Sequence, residues 1–293
     1  MGCLNSEGQF AHWFGNIHFS GPCNRKCYFC IGQHMMGLDA LNNLDEWPLK
    51  NLEKFIEICL NKDIYEVNVT GTNTDPSLYQ HLYKLRQELQ SYIPSLVFGI
   101  RTNGVANHQE LDLFDKISIS FPSFNALLYR KIMGGDPPNL EELFCSDELY
   151  LNKDNVKINI ILGPEIFLLQ EGWPDLFLTL PKLGRMGIRK INLREPYGQP
   201  HIGDPLEKNS YGWKQTGKRY GMPSYEHQEF PLLEVLYWDV HYVEVESVNL
   251  YANGVISETY PITKGYDAKW GKVEGQEHFV KSGRVREQWI SSK

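Results

Sequence analysis

Three cysteines crowd into eight residues, Cys23-Asn24-Arg25-Lys26-Cys27-Tyr28-Phe29-Cys30, in the spacing Cys-x3-Cys-x2-Cys. Thiolates this close on one loop can converge on a soft metal centre, and thiolate ligands select iron-sulfur clusters, zinc or copper(I). No fourth cysteine lies nearby, so one iron of a four-iron cluster would be left open to an outside ligand. A competing set adds His34, giving Cys-x3-Cys-x2-Cys-x3-His and the ligand count of a closed structural zinc site. Zinc staples of that kind serve small domains without a core, whereas 293 residues with 42% apolar content can bury a large one. The remaining cysteines, Cys3, Cys59 and Cys145, are scattered. Cys59 shares a helical face with Leu52, Phe55 and Ile56, which marks it as a small core residue.

The elements that must position this loop follow from periodicity. Strand-like stretches at 13–20, 65–71, 95–104, 116–123, 156–163 and 188–195 alternate with helical patterns at 48–61, 77–91, 108–114, after Asn125, and 173–186. Six strands alternating with helices predict an α/β fold of parallel strands joined by right-handed crossovers, in an open sheet or a full or partial barrel. Ligands in such folds gather at the carboxyl ends of the strands, and the cysteine loop follows the first one. Residues 201–229, rich in Gly, Tyr, Lys and His without helical period, read as a long loop or lid. Residues 243–260 read as a β-hairpin turning at Asn253-Gly254, a pair suited to a type I′ turn.

Composition excludes several classes. A net charge of −7 leaves no basic field for a large nucleic acid. No run of about 18 apolar residues is present to span a membrane. The first residues lack a secretory pattern. They do fit a short Met-Gly-x-x-x-Ser acylation pattern, with Cys3 beside it, which chance also produces. These features predict a cytoplasmic chain. Asn68-Val69-Thr70 is formally a glycosylation sequon, but it lies inside a predicted buried strand.

The loop resembles the signature of the radical S-adenosylmethionine (radical SAM) superfamily, in which three cysteines bind a [4Fe-4S] cluster and an aromatic, here Phe29, precedes the third. The resemblance covers residues 13–196 and implies a partial (β/α)6 TIM-like barrel. It divides the chain into a core at 1–200, with the cluster loop at 21–34, and a C-terminal extension at 201–293 that caps the barrel or closes over substrate. Cys23, Cys27 and Cys30 would be the cluster ligands.

Further SAM contacts are implied by position. Thr70-Gly71-Thr72-Asn73-Thr74-Asp75-Pro76 stands where the family carries a Gly-Gly-Glu-Pro-like motif. It departs from that motif, since Thr72 replaces a glutamate and leaves carbonyls and hydroxyls to hold the ammonium group. As plain structure, the same stretch suits a helix start, with Thr74 or Asp75 as cap and Pro76 in the first turn. Arg101-Thr102-Asn103-Gly104 is similar to the family's Thr-Asn-Gly, and is also an ordinary turn sequence. Ser118, Ser120, Asn159, Arg194 and Glu195 fall where relatives add SAM or substrate contacts, although Arg194-Glu195 is equally a strand-end salt bridge.

The resemblance implies that a reduced cluster donates one electron to SAM, leaving methionine and a 5′-deoxyadenosyl radical that abstracts a substrate hydrogen. A flavodoxin- or ferredoxin-type donor or a reductase would supply the electron. No second cysteine cluster follows Cys145, so the substrate expected is a small metabolite, nucleoside or short peptide. The altered Thr72 position also leaves open a non-catalytic SAM sensor.

Overall fold

The computed structural model describes residues 12–30, 41–145, 152–162, 172–196, 203–208, 211–219, 222–238, 245–258, 280–281 and 284–285. The six predicted strands form as β1 (His12–Phe19), β2 (Glu66–Gly71), β3 (Val97–Thr102), β4 (Lys116–Ser120), β5 (Val156–Ile161) and β6 (Lys190–Arg194). They lie side by side in chain order, all parallel. The helices between them are α1 (Leu52–Asn61), α2 (Leu82–Tyr92), α3 (Ala126–Met133), α4 (Leu140–Cys145) and α5 (Gly172–Arg185). The expected helix at 108–114 is a 3-10 turn, His108–Leu113, between β3 and β4.

Alternation along each strand separates two environments. One face carries Ile17, Phe19, Val67, Val69, Phe98, Ile100, Ile117, Ile119, Ile158, Ile160, Ile191 and Leu193, every one no more than 2% exposed and packed under the helices. Cys59 joins this core from α1, with Leu52, Phe55 and Ile56. The α2 stripe buries Leu82, Leu85 and Leu89, while Leu78 sits outside the helix in a preceding 3-10 turn. The opposite, concave face is polar and holds Asn16, His18, Asn68, Thr70, Arg101, Ser118, Ser120, Lys157, Asn159, Asn192 and Arg194. Such polar positions at every second residue of otherwise apolar parallel strands mark a lined bowl rather than a second core.

The region after residue 200 corrects the expectation of a long loop. It forms α6 (Pro205–Lys208), β7 (Trp213–Arg219), β8 (Met222–His227) and β9 (Phe230–Trp238). Antiparallel β7 and β8 lead into β9, which pairs parallel to β6 and makes a seventh parallel strand. The signal was weak because β7 is an edge strand: only Trp213 is buried along it, so no alternation appears. Beyond it, β10 (Val245–Leu250) pairs parallel to β1 on the other side, bringing the parallel strands to eight. The predicted hairpin from β10 to β11 (Ile256–Ser257) forms. Its turn is wider than type I′, because Gly254 has φ 80° while Asn253 does not cross to positive φ. The loop closes through Tyr251 N–H to the Val255 carbonyl (2.9 Å) and Gly254 N–H to the Tyr251 carbonyl (2.8 Å). A separate two-stranded ribbon pairs Val280–Lys281 with Arg284–Val285.

Candidate metal and cofactor site

The cysteine loop leaves the end of β1 and is fastened on three sides. Toward β2, the Thr74 hydroxyl donates to the Pro22 carbonyl (2.7 Å), and Gly21 N–H donates to Asn73 Oδ1 (3.1 Å). Toward β3, Asn103 Nδ2 donates to Asn24 Oδ1 (2.7 Å). Toward α3, Tyr28 N–H reaches the Ile132 carbonyl (3.3 Å), and the Cys27 thiol reaches the Met133 carbonyl (3.5 Å). Gly134, at φ 71°, caps α3, and a Cβ there would stand 2.6 Å from the Lys26 carbonyl. Gly135 leaves equal room for the Arg25 side chain, which donates to the Asp136 carbonyl. Phe29 stands edge-on to Tyr28, with ring centroids 5.5 Å apart.

The 71–76 turn is shaped by its own sequence. A Cβ on Gly71 would fall 1.6 Å from the Thr74 carbonyl oxygen, so only glycine permits this fold-back. Asp75, 3% exposed, accepts from Ser77 N–H (3.0 Å), the Thr102 hydroxyl (2.8 Å) and Asn103 N–H (2.6 Å). The predicted cap therefore forms, and the same carboxylate fixes the end of β3. Thr72 is internally engaged: its hydroxyl donates to the Phe19 carbonyl (2.9 Å) and shares a 2.6 Å hydrogen bond with Ser20 Oγ. The Thr72 carbonyl faces the loop, 3.8 Å from the Cys30 sulfur.

The three thiols sit close enough to disturb one another. Burial, then Cys30 and Cys23, push the Cys27 thiol up to about 12. Burial likewise raises Cys23, with Asp75 and Cys30 adding to it. A donor set whose anions repel one another is stabilised by a cation, because metal binding offsets both burial and mutual repulsion. Among the described residues, no three His, Cys, Asp or Glu side chains meet at one point as a mononuclear ion requires. A [4Fe-4S] cluster takes one thiolate per iron, so these three cysteines would hold three of its irons. His34, the fourth member of the zinc set, lies outside the described residues, as do Gly163 and Pro164.

Below the loop, strand register lines up the remaining candidates. Thr70 and Arg101 continue the row of His18, and Arg101, Ser118 and Lys157 are cross-strand partners. Ser120, Asn159 and Asn192 form the row above. Arg194 stacks on Trp238 of β9, 5.1 Å from the ring centroid. Glu195 does not join them. By alternation it turns to the helix side, where its carboxylate accepts from the Tyr237 hydroxyl (2.6 Å) and Gly203 N–H (2.9 Å). Hence Arg194 and Glu195 are not paired with each other.

Sequence reading missed Lys157, Asn192, Trp238 and Asn249, though it marked the hairpin near Tyr251 as a candidate specificity element. Asn249 Oδ1 accepts from Asn16 Nδ2 (3.0 Å) and from His18 Nε2 (3.1 Å), and Tyr251 stacks on His18 at 4.7 Å. Burial drives His18 down to about 4, so the ring is neutral.

No known protein family and no curated protein matches this sequence. Solved structures do match. SuiB from Streptococcus suis, bound to its precursor peptide SuiA, aligns with TM-score 0.56 and 11% identity over 87% of this chain and 61% of SuiB. SuiB bound to S-adenosylmethionine aligns with TM-score 0.47 and 15% identity over 69% of this chain and 44% of that one. Escherichia coli coproporphyrinogen III oxidase (HemN), described as a radical SAM enzyme, aligns with TM-score 0.43 and 12% identity, over 88% and 69%. The chain thus spans less than two thirds of SuiB and shares its fold. The architecture is a partial, TIM-like α/β barrel that shares the fold of SuiB, with antiparallel strands added after residue 200.

Proposed function

We propose that this chain is a radical SAM enzyme whose Cys23, Cys27 and Cys30 hold a [4Fe-4S] cluster at the carboxyl end of a parallel barrel. The observation that carries this reading is the three-thiol loop seated on the 71–76 turn, Asn103 and the end of α3. A cluster held by these three thiolates would supply the low-potential electron for reductive cleavage of SAM.

The chain's own residues do the rest. Since the Thr72 hydroxyl is occupied, the ammonium of SAM falls to backbone carbonyls of the Thr70–Asn73 turn, including that of Thr72. Phe29, edge-on to Tyr28, flanks Cys30 in the loop. Ser118, Ser120 and Asn159 offer polar groups to the SAM ribose from the concave face. Strands β9 and β10 add Trp238 and Asn249 to the wall of the bowl. SuiB, described with SAM and with a precursor peptide, supports SAM as co-substrate and keeps a short peptide beside small metabolites and nucleosides as substrate. No helix among the described residues is long and apolar enough to cross a membrane; on the present proposal the enzyme is cytoplasmic and is served by a flavodoxin- or ferredoxin-type donor or a reductase.

Anaerobically reconstituted protein should release 5′-deoxyadenosine from SAM when dithionite is added, and the Cys27→Ala variant should not. A colourless protein carrying one zinc refutes the reading. SAM binding without cleavage would leave a sensor on the same fold.

A further inference from the structure

The protein as a whole is acidic, yet the floor of the bowl is cationic. Arg101 on β3 and Lys157 on β5 flank Ser118 in one cross-strand row, and Arg194 on β6 lies close enough to Lys157 for its charge to be felt. Lys116 also faces this side, but it is bound to Glu66 (2.5 Å). Glu66 pulls Lys157 the other way, and among the described residues no carboxylate forms an ion pair with Arg101 or Lys157. The neutral His18 beside them contributes no charge. Burial, then Arg101 and Arg194, bring Lys157 down to about 7.

Gathering cations in a partly dehydrated hollow is costly unless something negative enters. SAM does not fill that role, because its sulfonium and ammonium outnumber its one carboxylate. We infer that the substrate presents an anionic group, a carboxylate or a phosphate, to Arg101, Lys157 and Arg194 on the concave face. Arginine offers a planar fork to either group, and lysine a point charge between them. Trp238, stacked on Arg194, holds that guanidinium in position and reports on its surroundings. This deepens the radical SAM reading by naming a substrate class, but anion binding belongs to the chain itself and is measured without turnover.

The test uses the full chain prepared anaerobically, titrated separately with inorganic phosphate and with succinate. Tryptophan fluorescence and calorimetry are the readouts. Saturable binding is expected for at least one anion, weakened about tenfold or more in Lys157→Met and in Arg194→Gln. It should be unchanged in Lys214→Gln, on the exposed edge strand β7, and it should persist with SAM present. Preference for phosphate assigns a phosphorylated substrate, and preference for succinate a carboxylate. Binding absent for both anions, equal in the two site variants and the parent, or displaced by SAM overturns the inference. Should SAM cleavage fail while anion binding stands, only the radical SAM reading falls; the reverse result removes only this one.

Discussion

Replacing Lys157 by methionine should stabilise the unliganded protein at neutral pH, by an amount that vanishes in alkali. Methionine matches the lysine stem in length and carries no charge. In the folded chain, burial and the neighbouring arginines bring Lys157 from 10.5 to about 7. A depressed lysine costs stability in full below the folded value. The cost disappears as pH rises toward the unfolded value, because there the unfolded chain alone binds the proton. That depression corresponds to at most ~5 kcal/mol. Lys157 keeps some surface open to solvent in the bowl, so about 2–3 kcal/mol is the reasonable expectation. Urea unfolding of parent and Lys157→Met at pH 6.5 and pH 10 isolates this residue, since other titrations cancel in the difference. A variant advantage at pH 6.5 that shrinks to near zero at pH 10 is the predicted pattern. An advantage independent of pH, or a variant less stable at pH 6.5, would refute the electrostatic reasoning.

Other perturbations follow from the loop and its supports. Gly71→Ala must displace the Thr74 carbonyl; a loss of about 3 kcal/mol or more and failed cluster assembly are expected, read by thermal melting and iron content. Asp75→Asn keeps the shape but removes the charge accepting three donors, costing about 1–3 kcal/mol and weakening SAM binding by equilibrium dialysis. His18, held near 4, destabilises the fold as pH falls from 6.5 toward 4, because there only the unfolded chain takes the proton. His18→Gln should remove ~2–3 kcal/mol of that acid sensitivity in urea midpoints.

Much of the frame was legible because parallel strands and amphipathic helices write their periods into local sequence. Leu82, Leu85 and Leu89 lie on one helical stripe, and Asp75-Pro76 announces a capped turn. The cysteine loop was equally plain, since metal-ligand spacing is local. What escaped depends on contacts distant in the chain. Phe230–Trp238 is an apolar run whose role as a parallel neighbour of β6 is settled only by tertiary pairing. Lys157 looked like a strand lysine until register put it beside Arg101 and Ser118. Glu195 shows the converse, for one residue of alternation carried it away from Arg194 to Tyr237. At the amino end of β1, Phe14 faces the bowl under Arg101 and Trp13 lies beneath Lys62, whereas Phe121 is core.

The most direct test of the account is low-temperature electron paramagnetic resonance of the dithionite-reduced protein, recorded with and without SAM. A reduced four-iron signal that changes shape when SAM is added would show an open iron taking the cofactor above the three thiolates. A signal indifferent to SAM, or no iron signal in anaerobically assembled protein, would contradict it.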